Sequence, residues 1–157
     1  MKKSQIFSIC TIAIVALGLI LYLFCPAIKA EAILGGDVTY SGAELIFGKK
    51  TSTALGDVVY FKFSFLLFLG FVCAIAGLVI TILPLCGVKC KLFPIIALAC
   101  FVVAAVFAFL SKSCCVAGNG DMGAGGAYDL GVGAIIAGIA YICAAITSAL
   151  PIVLDKK

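Results

Sequence analysis

Nine cysteines are the residues of this chain best suited to chemistry, and their placement decides which chemistry is open to them. Cys86 and Cys90 frame the segment Cys-Gly-Val-Lys-Cys. A closed zinc site takes four ligands. The chain has no histidine, and no second cysteine pair accompanies these two, so no metal centre is expected. Without histidine there is also no imidazole base and no Ser-His-Asp triad. Cys10, Cys73, Cys100 and Cys143 fall inside apolar runs, where cysteine serves as a small packing residue. Cys25, Cys114 and Cys115 stand at the ends of such runs. In an oxidising compartment, Cys25 joined to Cys114 or Cys115 would tie the first run to the third; unbridged thiols are the alternative.

Two other groups of residues invite a chemical reading. The stretch Gly118-Asn119-Gly120-Asp121-Met122-Gly123-Ala124-Gly125-Gly126 is rich in glycine. Its spacing fits no phosphate-cradling motif and its charged neighbours are Asp121 and Asp129, so it reads as a flexible connector. Ser8, Thr11, Thr81, Tyr141, Thr147 and Ser148 are polar groups inside the apolar runs. Coupled transport usually places an ionisable group in the membrane, and none lies in these runs. No catalytic, metal or cofactor-binding constellation emerges, no small-molecule substrate is evident, and the chain reads as a non-enzyme.

The elements that must position these residues follow from composition. Hydrophobic residues make up 65% of 157 residues and charged residues 11%. A soluble domain carries about 25% charged residues. A chain of roughly 150 residues buries only about 70% of its unfolded surface, so this much apolar surface demands a lipid bilayer as partner. Four uncharged apolar runs, 6–25, 63–85, 92–110 and 130–154, are 19 to 25 residues long. About 20 helical residues cross the hydrocarbon core. The fold class expected is therefore all-α membrane: a four-helix transmembrane bundle in a single domain over 1–157. Pro26, Pro84, Pro94 and Pro151 lie at or near the borders of these runs, where proline disturbs a helix least.

Lysine placement orients the bundle. Lys2, Lys3, Lys89, Lys91, Lys156 and Lys157 lie in the termini and the short link, beside the single acid Asp155. The two longer loops, 26–62 and 111–129, hold five lysines against six acids. The positive-inside rule puts both termini and the link in the cytoplasm of a multi-pass cell-membrane protein. The net charge of +4 is thus a topology signal, and nucleic-acid binding is rejected. Lys2-Lys3 and Ala30-Glu31-Ala32 also resemble the two ends of a signal peptide. The apolar run between them is longer than the usual signal core of about 7–15 residues, so an uncleaved span is expected.

Loop 26–62 carries strand signals. Val59, Phe61, Phe63 and Phe65 alternate with Val58, Tyr60, Lys62 and Ser64. Asp37-Val38-Thr39-Tyr40 and Glu44-Leu45-Ile46-Phe47 read as two further short β-prone pieces, with turns at Gly48-Lys49-Lys50 and Leu55-Gly56-Asp57. A small extracellular antiparallel β element is expected here. The loop is rich in apolar residues, Ile33, Leu34, Val38, Tyr40, Leu45, Ile46 and Phe47. Of these, Tyr40, Leu45, Ile46 and Phe47 are the expected interaction surface, because exposed apolar patches tend to be covered by partners. Small residues at three- or four-residue spacing, Gly70, Ala74 and Gly77, then Ala97, Ala104 and Ala108, then Ala134 and Gly138, mark close helix packing.

Inner termini, a long β-bearing first outer loop, a short link and a shorter second loop resemble the layout of claudin-like tetraspan proteins. The resemblance covers the whole chain and implies lateral assembly through the outer segments. The tryptophan-containing signature and paired loop cysteines of that class are absent. Lysine as the only basic residue and the abundance of isoleucine are closer to small bacterial four-span proteins, with Ser41-Gly42-Ala43-Glu44-Leu45-Ile46-Phe47-Gly48 as a family-like stretch. Quinone-linked disulfide-forming oxidoreductases share the topology, yet their Cys-x-x-Cys has no counterpart between Cys25 and Cys73. Small four-span multidrug exporters rely on a glutamate in the first span, and Ile6–Cys25 has none. The expected function is that of a structural or interaction membrane protein forming homo-oligomers through its loops and helix faces. A small oligomeric channel or transporter subunit is the alternative.

Overall fold

The computed structural model describes residues 3–32, 37–53, 56–88, 90, 92–118 and 123–154. Helix α1 (Lys3–Phe24) leads into strands β1 (Pro26–Ala32) and β2 (Asp37–Ser41), the short helix α2 (Gly42–Phe47), and strands β3 (Lys49–Thr53) and β4 (Gly56–Lys62). Then come α3 (Phe65–Ile82), α4 (Phe93–Phe109), the single turn α5 (Ser111–Cys114), β5 (Val116–Ala117), β6 (Gly123–Leu130) and α6 (Val132–Leu154). The chain is mostly helical, with two small antiparallel sheets. α1, α3 and α6 are long and apolar enough to cross a membrane. α4 is equally apolar but has 17 residues, a rise of about 26 Å at 1.5 Å each, the short end of what spans.

Local chemistry sets the helix borders, which differ from the apolar runs by a few residues. The strand β4 holds the chain to Lys62, and Ser64 then caps α3, its Oγ accepting from Leu67 N–H at 3.4 Å. α3 stops before Pro84, and Pro94 lies in the first turn of α4. α6 begins after β6 ends at Leu130.

The long helices form a ring in which α1 packs on α6, α6 on α4 and α4 on α3, with a lighter contact between α3 and α1. Their packing is inverted relative to a water-soluble bundle. Ala74, Ala97, Ala104, Ala108, Ala134, Ala137 and Ala144 are buried, while Leu17, Ile20, Val79, Ile95, Val102, Ile139 and Ile146 are exposed. The eight small residues marked in the sequence, Gly70, Ala74, Gly77, Ala97, Ala104, Ala108, Ala134 and Gly138, all lie inside this one bundle. A methyl group on Gly77 would stand 2.6 Å from the Phe101 ring, and one on Gly138 2.5 Å from that of Phe109. These stripes therefore admit aromatic rings between the helices of a single subunit.

One end of the ring is closed by the sheets, which we call the sheet end; the opposite end carries the α3–α4 link. One sheet has the order β2-β1-β6 and the other β3-β4-β5, so strands from 111–129 complete both. The glycine-rich stretch is accordingly not just a connector: Gly123–Leu130 is a strand on β1, with Ala30 opposite Tyr128 and Ile28 opposite Leu130. The strand signal at Asp37–Tyr40 and the alternation after Val58 correspond to β2 and β4. That alternation ends at Phe61, which is buried, whereas Phe63 and Phe65 are exposed where the chain turns into α3.

The piece Glu44–Phe47, expected as a strand, is helical. Ser41 Oγ accepts from Glu44 N–H, and the Glu44 carboxylate accepts from Ser41 N–H at 3.0 Å. This reciprocal capping box starts α2, and Gly48, with φ +89°, stops it. The expected turn at Gly48–Lys50 reduces to that glycine, since β3 begins at Lys49. Gly56 and Asp57 of the second expected turn already belong to β4. Lys2, Lys89, Lys91, Asp155, Lys156 and Lys157, on which the orientation rests, lie outside the described residues, as do Ile33, Leu34, Leu55 and 119–122.

Candidate functional site

The sheet end is built as a lid. Tyr40 of β2 meets Phe61 of β4 edge-on, with centroids 4.7 Å apart, and Phe61 lies 5.8 Å from Tyr128 of β6. These rings join the two sheets over the bundle. α2 lies beneath, its first residue Gly42 pressed against the Tyr22 ring and carbonyl of α1. Lys49 pairs with Glu44 at 2.8 Å and its ammonium stands 5.2 Å from the Tyr40 ring centre.

Hydroxyls bind this lid to the helices. Ser64 Oγ donates to the Cys114 carbonyl at 2.6 Å, linking α3 to α5. Ser111 Oγ donates to the Ala108 carbonyl at 2.7 Å and lies 2.9 Å from Tyr22 Oη. Because that serine proton goes to the carbonyl, Tyr22 donates to Ser111. Gly131 N–H reaches the Ala27 carbonyl and Gly118 N–H the Tyr60 carbonyl, each at 2.8 Å.

This geometry relocates the residues expected to interact with partners. Tyr40, Leu45 and Ile46 are buried in the subunit's own lid, and only Phe47 is exposed, at 57%. Leu45 and Ile46 turn inward because α2 is a helix, not an edge strand. Phe47 instead joins an aromatic ledge on the outside of α3, 6.4 Å from Phe68 and 6.3 Å from Phe71, while Phe63 lies 5.5 Å from Phe68. Cys25, Cys114 and Cys115 all lie at the sheet end, and all nine cysteines are thiols rather than disulfides. Burial pushes the Cys114 thiol pKa up. Among the described residues no His, Cys, Asp or Glu cluster is arranged to hold a metal.

The link end is different. A cavity of about 130 Å³ opens between the four long helices there. Its wall takes Gln5, Ser8 and Thr11 from α1, Thr81 from α3, Ala97 from α4, and Thr147 and Ser148 from α6, with Pro84, Leu85, Phe93 and Pro94 at the link. Five of the six in-span polar residues singled out above thus meet in one place. Tyr141 is apart, near Tyr22 deeper in the bundle. Gln5 is the lining residue that the sequence reading missed. Its signal is the spacing Gln5, Ser8, Thr11, which puts one polar side chain per turn on a single helix face.

The cavity is blind. One turn beyond Ala97, Phe101 is fully buried with its ring against Gly77, and Val15 stands fully buried one turn beyond Thr11. Thr11 and Thr147 bond across α1 and α6 at 2.7 Å. Thr81 and Ser148 donate to the Gly77 and Ala145 carbonyls of their own helices, each at 2.8 Å. Among the described residues, no lining side chain carries a charge. Such a pocket can hold water or a neutral polar molecule. The chain matches no protein-family model, no curated protein and no solved structure.

Proposed function

We propose that this chain is a multi-pass membrane protein in which α1, α3, α4 and α6 all cross the bilayer. The termini and the α3–α4 link face the cytoplasm, the sheets face outward, and the protein works as a structural or interaction element that associates laterally with its own copies. The observation that carries this reading is the inverted packing: alanine and glycine line the inside of α3, α4 and α6, Gly18 lies inside on α1, and large aliphatic side chains are exposed on all four long helices, α4 included. In water, such exposed apolar faces would drive aggregation; in lipid they are at home, and small residues let helices approach.

Lateral association is supported by the build of the sheet end. β2 and β3 are edge strands, and edge strands can extend into a neighbour's sheet. The lysines of β3 are the usual guard against such pairing, which favours β2 and the exposed rings of Phe47, Phe63 and Phe65 as the contact. Strands drawn from a long first loop and a shorter second loop support the claudin-like comparison as part of this proposal; the missing tryptophans and loop cysteines limit it to layout. A conducting path through one subunit is disfavoured, because the hydroxyl-lined cavity ends at Phe101.

Subunit counting by single-molecule photobleaching in native membrane tests the reading. Assemblies of two or more copies are expected, and Phe47→Asp with Phe65→Asp should lower their number while leaving the monomer inserted. Monomers alone at natural abundance, or assemblies indifferent to both changes, would overturn it.

A further inference from the structure

We propose that the blind cavity at the link end is a binding site for small neutral molecules rich in hydrogen-bond donors, a property independent of lateral association. The argument rests on where the hydroxyl protons go. Thr81 gives its proton to the Gly77 carbonyl and Ser148 gives its own to the Ala145 carbonyl, each at 2.8 Å. Thr11 and Thr147 hold two protons between them. One crosses the 2.7 Å bond that joins the pair. The other goes to a backbone carbonyl of its own helix, Phe7 at 2.9 Å from Thr11 or Ala144 at 3.0 Å from Thr147. All four protons are committed within the protein.

Each hydroxyl oxygen has two lone pairs and one proton. With the protons committed, these four oxygens meet the cavity as acceptors. Gln5 and Ser8 line the cavity as well and carry donors of their own, so a ligand that brings N–H or O–H groups meets the larger set of partners and one that brings only acceptors the smaller. Charge narrows the class further. Among the described residues the lining carries no carboxylate, and desolvating a cation without a counter-charge is strongly unfavourable. Size sets the last limit: about 130 Å³ holds roughly four waters, the scale of a urea or a small polyol. The ring of Phe101 against Gly77 stops the ligand at this depth, so the site binds without passing it on.

The test uses the full chain in lipid nanodiscs and saturation-transfer NMR with three neutral probes: urea, glycerol and trimethylamine N-oxide, the last of similar size but with no donor. Urea and glycerol are expected to give protein-dependent signals several times stronger than that of trimethylamine N-oxide. Thr81→Val with Ser148→Ala should lower the urea signal about fivefold, in keeping with the loss of two neutral acceptors. The probe contrast is read on unaltered protein and stands even if the double variant misfolds. Equal signals from all three probes, no signal from urea or glycerol, or a urea signal unchanged in a folded double variant would each overturn the proposal.

Discussion

At the sheet end, the hydroxyls of Tyr22, Ser64 and Ser111 serve joints where one element meets another, with Tyr22 reaching Ser111 at 2.9 Å and Ser64 the Cys114 carbonyl at 2.6 Å. At the link end, those of Thr81 and Ser148 turn back onto their own helices. The difference separates two uses of one functional group in an apolar bundle. A hydroxyl that joins elements is part of the framework, and removing it strands its partner. A hydroxyl that folds back on its own carbonyl supports no neighbour, and its lone pairs are left to face the cavity. Thr11–Thr147 is a crossing bond at the link end. It ties α1 to α6 where no sheet holds them.

The boundary between the two regions should be the most sensitive place. Phe101→Ala would remove the fully buried ring that closes the cavity against Gly77. It is expected to cost about 3–5 kcal/mol in reversible unfolding in mixed micelles, since it opens a void in the core. A cost near zero would mean that the cavity floor is not a packed layer. Next in size is Ser64→Ala, which removes both the cap of α3 and the donor to Cys114. The expected loss is about 1–2 kcal/mol by the same measurement. Glu44→Ala breaks half of the capping box of α2 and should cost about 1 kcal/mol, seen as faster amide exchange over 42–47. The smallest effect belongs to the link end: Thr81→Val should change stability by no more than about 0.5 kcal/mol. If Thr81→Val costs as much as Ser64→Ala, the contrast between the ends is wrong.

The sequence was legible where one strong pattern acted alone. The four apolar runs became the four long helices, and the alternation from Val58 became β4 because a half-buried strand has no other way to sort Phe61 from Lys62. The stripes of Gly70, Gly77 and Gly138 were readable as packing sites, though not which rings they would receive. Legibility failed where a local signal competed with composition. Leu45, Ile46 and Phe47 look like strand residues, but Ser41 and Glu44 cap a helix at three-residue spacing, and that satisfies the backbone first. Gly123–Gly126 has no side-chain pattern, so its pairing with β1 is fixed by register across sequence-distant elements. The gathering of Thr11, Thr81, Thr147 and Ser148 around one cavity depends on helix rotation, which no single run encodes.

That the sheet end faces outward and the link end inward is tested most directly by thiol labelling of intact cells. Cys86 and Cys90 are exposed at the link end, and Thr51 is exposed on β3 at the sheet end, where Thr51→Cys supplies a reporter. A membrane-impermeant maleimide, followed by peptide mapping, should modify Thr51→Cys in intact cells and reach Cys86 and Cys90 only after permeabilisation. Labelling of Cys86 or Cys90 from outside, or a Thr51→Cys reporter silent until the membrane is opened, would contradict the four-span arrangement with its sheets outside.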